Sequence, residues 1–74
     1  MCLAIPAKLK SIEGDTGVVE FLGNEMTVSL SLVSPKIDDY LLIHAGFAIE
    51  IIAKDSAEEI LDIYEMLEES ANES

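Results

Sequence analysis

Arginine and tryptophan are absent from this 74-residue chain, and it has only one cysteine, one histidine and two prolines. Four lysines stand against fifteen aspartates and glutamates, so the formal net charge is −11 at pH 7. Nucleic-acid binding needs Lys and Arg to neutralise phosphates, and anionic membrane surfaces attract basic segments. The charge therefore argues against nucleic acid and membranes as partners, and it favours a protein partner with a basic face.

Long hydrophobic runs are also missing. No apolar stretch approaches the roughly 18–20 residues of a membrane span, and the start lacks the basic region of a signal peptide. A single cysteine allows no intramolecular disulfide. We therefore expect a cytoplasmic protein in a reducing compartment.

The first two-thirds of the chain has the pattern of short strands separated by turns. Because proline cannot donate a backbone hydrogen bond, the first predicted strand is either an edge strand or begins after Pro6. We predict turns at 13–17 and at Gly23-Asn24, and Ala45-Gly46 either separates two strands or bends one. The predicted strand segments are 3–12, 18–22, 25–30, 40–44 and 47–52. Residues 25–30 alternate, which predicts one face with Met26, Val28 and Leu30 and an opposite face with Glu25, Thr27 and Ser29.

Five short strands with tight turns predict a mostly β fold, a small five-stranded barrel like the oligonucleotide/oligosaccharide-binding (OB) barrel, because closure removes exposed edges. We place this barrel in residues 1–54. A C-terminal helix of the same domain follows at 55–69, and 70–74 form a disordered tail.

The helix is predicted from its first turn and its apolar periodicity. Ser56 and Glu59 match a capping box, Ser-x-x-Glu. An apolar stripe at i, i+3, i+4 and i+7 follows, which either docks on the barrel or binds a partner. The stripe consists of Ile60, Ile63, Tyr64 and Leu67.

Cys2 lies directly behind the initiator methionine. If Met1 is removed, the thiol and the new α-amine could chelate one metal ion, and the ammonium favours the thiolate that binds metals. The alternative interpretation is a small buried hydrophobe, the usual role of a free cysteine.

His44 ends an apolar segment just before Ala45-Gly46, so we expect it at a strand end, with Phe47 in the core. Structural zinc needs four ligands, and Cys2 with His44 supplies too few. A thiolate and an imidazole suit a carrier of iron, copper, nickel or zinc that fills only part of a coordination sphere. The alternative is a structural histidine. No orienting third group or cleft is evident, so an enzyme acting alone is not favoured.

Two sequence blocks carry a resemblance that covers nearly the whole chain. The opening Met-Cys-Leu-Ala-Ile-Pro-Ala-Lys and the later Asp-Tyr-Leu-Leu-Ile-His-Ala-Gly-Phe-Ala, residues 39–48, resemble the HypC/HupF family of hydrogenase-maturation chaperones. The resemblance implies a small barrel with a C-terminal helix and removal of Met1. It further implies a role in building the active site of [NiFe]-hydrogenase.

Partners and cargo are also implied by the resemblance. With HypD, members of the family hold an iron atom that receives cyanide and carbon monoxide, and HypE enters through the HypC–HypD complex. They then engage the precursor of the hydrogenase large subunit. Carried over, Cys2 is an iron ligand and a partner contact, and His44 is the second ligand. Further expected partner contacts are Leu3, Ala4, Ile5, Pro6 and the helix stripe of Ile60, Ile63, Tyr64 and Leu67.

Two positions depart from the family pattern. Ala7 and Asp38 stand where the family usually has glycine, and a positive φ at either would require local adjustment. Two other functions stay open: a pure adaptor for HypD without metal ligation, and a redox sensor that uses Cys2 as a reactive thiol.

Overall fold

The computed structural model describes the backbone of residues 4–73 and the side chains of residues 4–67. Five strands precede one helix, in the order in which the sequence pattern places them. The elements are β1 Ile5–Glu13, β2 Thr16–Phe21, β3 Asn24–Ser29, β4 Tyr40–His44, β5 Phe47–Ile52 and α1 Lys54–Glu73.

The strands form a closed barrel in the order β1-β2-β3-β5-β4. All neighbouring strands are antiparallel except β3 and β5, which are parallel and pair only through Ser29 and Phe47. The prediction of a mostly β fold, a small five-stranded barrel with a C-terminal helix, is confirmed. Ala45-Gly46 separates two strands, β4 and β5, and does not bend one.

Alternating side chains of the strands fill the barrel. On β3 the predicted alternation is confirmed, since Val28 is buried and Met26 half-buried while Glu25 and Thr27 are exposed. Branched aliphatic residues supply most of the buried volume, because each buried side chain of this size contributes about 1.5–3 kcal/mol. The buried hydrophobic residues of the barrel are Ala7, Leu9, Val19, Val28, Leu30, Leu41, Ile43 and Ala48.

Pro6 lies inside β1 and is fully buried. It pairs with Leu42 of β4, whereas the ladder between β1 and β2 begins only at Lys8. A proline has no N–H to donate, and at this point β2 offers no partner that would need one. The first residues of β1 are thus an edge on the β2 side, which explains why the strand includes its proline.

Two local predictions were wrong by one to three residues. The hairpin turn lies at Leu22-Gly23 and not at Gly23-Asn24, with φ of 49° and 84°. Two consecutive positive φ values are typical of a type I′ turn, which matches the twist of the flanking strands. The capping box was also wrong: α1 begins at Lys54, and Ala57 N–H already donates to Ala53 C=O (3.0 Å), so Ser56 lies within the first turn.

The helix also continues beyond its predicted end. It runs to Glu73, in place of the disordered tail expected at 70–74, and Ser74 lies outside the described residues. No glycine or proline interrupts the chain after Lys54, so the sequence holds no strong stop signal for the helix. No helix in residues 4–73 is both long and apolar enough to cross a membrane.

One side of α1 packs on the barrel. Ala57 is fully buried, and Ile60, Leu61 and Tyr64 are half-buried. The ring of Tyr64 meets that of Phe21 edge to face, with centroids 5.2 Å apart. The predicted stripe is therefore divided: Ile60 and Tyr64 face the barrel, while the side chains of Ile63 and Leu67 are 57% and 62% exposed.

Candidate functional site

The N-terminal segment and the end of β4 lie side by side. In the β1–β4 ladder Ile5 pairs with Ile43 and Pro6 with Leu42. Continuing this register by one residue places Ala4 opposite His44. Cys2 and Leu3 lie outside the described residues, so the structure does not test their predicted roles.

His44 is the last residue of β4 and is half-buried, as its position in the sequence predicted. Its neighbours Ile43 and Leu41 are buried in the core, and this alternation directs the imidazole to the other side of the strand. On the β5 side it pairs with Phe47. The strand thus positions the imidazole on the outer surface of the barrel, next to the N-terminal segment.

The turn after His44 holds a strained residue. Ala45 has φ of 53° and Gly46 has φ of 84°. A left-handed conformation suits glycine but disfavours alanine, at a cost of roughly 1–2 kcal/mol. Gly46 C=O accepts a hydrogen bond from Ser29 N–H at 2.9 Å, and this bond fixes the turn to the end of β3. The backbone that follows His44 is therefore tied to the point where the barrel closes.

The ring nitrogens of His44 make no hydrogen bond or ion pair with any side chain of residues 4–67. In the described part of the chain, no three His, Cys, Asp or Glu residues come together in a group that could hold a metal ion. A metal bound at His44 would therefore need donors from outside the described residues or from another molecule.

The remaining predicted contacts are spread over two surfaces. Ala4 and Ile5, just before and at the start of β1, are half-buried, whereas the side chain of Pro6 is buried. The exposed part of the helix stripe, Ile63 and Leu67, lies on α1. The structure does not bring it together with His44 in one described pocket.

The two departures from the family pattern behave differently. Ala7 is a fully buried residue of β1 with an ordinary φ, so its methyl group is part of the core. Asp38 has φ of 76°, the conformation in which glycine is preferred. Its N–H donates to Leu9 C=O at 2.8 Å, and this bond connects the β3–β4 loop to β1.

Sequence reasoning missed an apolar surface on β5. Phe47, predicted in the core, is 45% exposed, and Ile49 and Ile51 are similarly exposed. A β-bulge between β4 and β5 at this point leaves Ile49 without a partner in the ladder. Alternation alone could not reveal this, because every residue from Phe47 to Ile52 except Glu50 is apolar.

An open groove of about 440 Å³ lies between the start of β4 and the helix. Its lining is mostly acidic, and it is formed by Tyr40, Glu58, Leu61, Asp62 and Glu65. Tyr40 pairs with Ile52, so the groove lies near the end of β5.

Comparison with known proteins identifies similar chains. Residues 1–64 match the model of the HupF/HypC family. A hydrogenase maturation factor HypC of Cupriavidus necator is 41% identical over 70 residues, which cover 92% of this chain and 78% of that relative. The factors of the same name from Synechocystis sp. and Helicobacter hepaticus are 39% and 40% identical. These alignments cover 89% and 99% of this chain, and 97% and 88% of the relatives.

Proposed function

The chain belongs to the HupF/HypC family, and we propose that it acts as a hydrogenase maturation factor, a non-enzymatic carrier of iron. The iron is its cargo, held with cyanide and carbon monoxide ligands while HypD is bound, and then passed to the precursor of the [NiFe]-hydrogenase large subunit. The observation that supports this most directly is the β1–β4 register, in which the start of β1, Ile5, pairs with Ile43, the residue before His44.

Chain connectivity limits how far the thiol can be from the imidazole. Cys2 is two residues from Ala4, and two residues span at most about 7 Å. Ile5 pairs with Ile43, and continuing this register by one residue sets Ala4 opposite His44. A thiolate and an imidazole from these two positions can therefore reach one iron atom without any change in the barrel.

The small number of donors suits a cargo that must be released. Iron that already carries strong-field diatomic ligands needs few protein ligands, and the remaining positions can be filled by a thiolate of HypD. In this proposal Cys2 anchors the iron and His44 completes or adjusts its coordination. Fewer protein bonds make transfer to the hydrogenase precursor easier.

Charge supports a protein partner for each step. The net charge of −11 favours association with basic surfaces. In the described residues the helix adds three exposed large apolar side chains to the surface, Ile63, Met66 and Leu67. Such residues, rimmed by carboxylates, are suited to a partner with an apolar patch and basic edges.

The test is an infrared spectrum of the chain purified anaerobically with HypD, as wild type and as Cys2→Ala. Cyanide and carbon monoxide stretches that require Cys2 would support the carrier function. Bands of unchanged position and intensity in Cys2→Ala would contradict it, and the iron would then be held by HypD alone. The chain would in that case be an adaptor. Co-purification of HypD with Cys2→Ala is the control, because it shows that lost bands do not reflect a lost complex.

A further inference from the structure

We propose that the free edge of β5 is a second docking surface, which binds an extended, basic segment of a partner protein by adding a strand to the barrel. The surface consists of residues 47–52, with the free backbone groups at 48–52, and it lies outside the site proposed for Cys2 and His44. Binding of a partner at this edge therefore does not depend on iron binding.

The barrel is closed at a single residue pair. β3 and β5 meet only at Ser29 and Phe47, supported by the bond from Ser29 N–H to Gly46 C=O. Beyond Phe47, β5 pairs with β4 alone, and in the described residues no other element makes a backbone hydrogen bond with 48–52. This edge thus presents unused N–H and C=O groups, which is what strand addition requires.

The side chains of this edge are apolar and accessible. Phe47, Ile49 and Ile51 are each 43–45% exposed, although branched and aromatic residues are normally covered by a neighbouring strand. An added strand would cover them and would pair with the free backbone groups at the same time. Apolar residues at alternate positions of the partner segment fit this surface, because side chains of a strand alternate between its two faces.

Charge determines which occupant fits. Glu50 is exposed in the middle of the edge, and the groove with Glu58, Asp62 and Glu65 lies near its end. Lysine or arginine at the other positions of the partner segment would meet these carboxylates. A second copy of this chain is the poorer occupant, because each copy carries a net charge of −11 and the two would repel.

Lysine and proline, which commonly prevent edge strands from pairing with other chains, are absent from Phe47–Ile52. The only charged residue of the strand is Glu50, and the bulge at Ile49 is the only irregularity in its pairing with β4. A basic partner segment would neutralise the charge that otherwise discourages pairing.

The test uses a synthetic peptide, acetyl-Lys-Val-Lys-Ile-Lys-Val-Lys-amide, titrated into the full chain and followed by amide chemical shifts and hydrogen exchange. Binding should slow the exchange of amides within 48–52. Two further peptides of the same sequence carry N-methyl groups at alternate residues, one peptide on each hydrogen-bonding edge of the strand. Only the peptide methylated on the edge that pairs with β5 should bind more weakly, by at least about tenfold. Replacing its lysines with glutamates should abolish binding.

Two variants with the same change in charge separate edge pairing from general attraction. Ile51→Lys on the edge should abolish the binding of the peptide. Ile63→Lys, at an isoleucine of the helix that is also exposed, should leave it unchanged. Equal loss in both variants, or protection of amides outside β5, would overturn the proposal. The proposal would also be overturned if sedimentation analysis showed a dimer without the peptide and Ile51→Lys dissociated it. The occupant of the edge would then be a second copy of the chain. The N-methylated peptides keep the test decisive if Ile51→Lys does not fold.

Discussion

The rings of Phe21 and Tyr64 pack edge to face, with planes at 87° and centroids 5.2 Å apart. This contact joins the end of β2 to the middle of α1. It also explains why the helix presents two different apolar surfaces, since Tyr64 is held against the barrel while the adjacent Ile63 projects away from it.

Tyr64→Ala should destabilise the protein by about 2–3 kcal/mol, because the aromatic pair and the burial of a large ring are both lost. Ile63→Ala is the matched control, and its effect should stay within about 0.5 kcal/mol, as for other exposed positions. Urea denaturation followed by circular dichroism measures both. Equal effects would mean that α1 does not dock through Tyr64.

Asp38→Gly should stabilise the protein by about 1 kcal/mol, because glycine adopts the observed φ of 76° without strain. The variant also loses an ion pair between Asp38 and Lys8. This pair is long (3.8 Å) and exposed, so it contributes little to stability.

Asp39→Gly is the control for this position. Asp39 does not have a positive φ, and its carboxylate accepts a hydrogen bond from Lys36 N–H at 2.8 Å. This variant should therefore be less stable than wild type by about 1–2 kcal/mol. Thermal denaturation of the two variants should shift the midpoint in opposite directions, and a shift in the same direction would contradict the role assigned to φ.

Gly17→Ala should cost about 1–3 kcal/mol, as overpacking of a core does. A Cβ at this position would lie 2.8 Å from Ser11 O and 2.8 Å from Leu9 Cδ1. The carbonyl belongs to the β1 backbone at the point where a bulge shifts the β1–β2 register, so it cannot move away easily. Chemical denaturation measures the loss of stability. If Gly17→Ala were as stable as wild type, β1 and β2 would be able to move apart at this point at no cost in free energy.

His44→Gln should lower the iron retained by the complex with HypD more than it lowers the affinity for HypD. Glutamine keeps a polar side chain on the surface but removes the imidazole that ligates metals. Leu42→Ala, on the same face of β4, is the control for changes in packing. Metal analysis and a binding titration of the same samples decide the outcome, and equal loss of iron and affinity would make His44 a docking or folding residue.

Local chemistry was enough to predict several elements. The alternation of Met26, Val28 and Leu30 placed β3 and its buried face, and the glycine at 46 marked the turn after His44. These predictions were correct because a strand's side chains alternate and a tight hairpin needs positive φ, and both are properties of a few neighbouring residues. The family, too, was evident from two short blocks, and the match over residues 1–64 confirms it.

Other features depend on contacts between distant segments. The exposure of Phe47 and the division of the helix stripe follow from where β5 closes on β3 and how α1 docks on Phe21.

The sequence by itself determined the strand order along the chain, the acidic surface and the residues capable of metal chemistry, since these depend on residue type and local spacing. Tertiary structure alone decided that the start of β1 lies beside the end of β4, that Asp38 occupies a glycine conformation and that β5 keeps a free edge. Each of these results from the register and closure of the barrel, which bring together residues that are far apart in the chain.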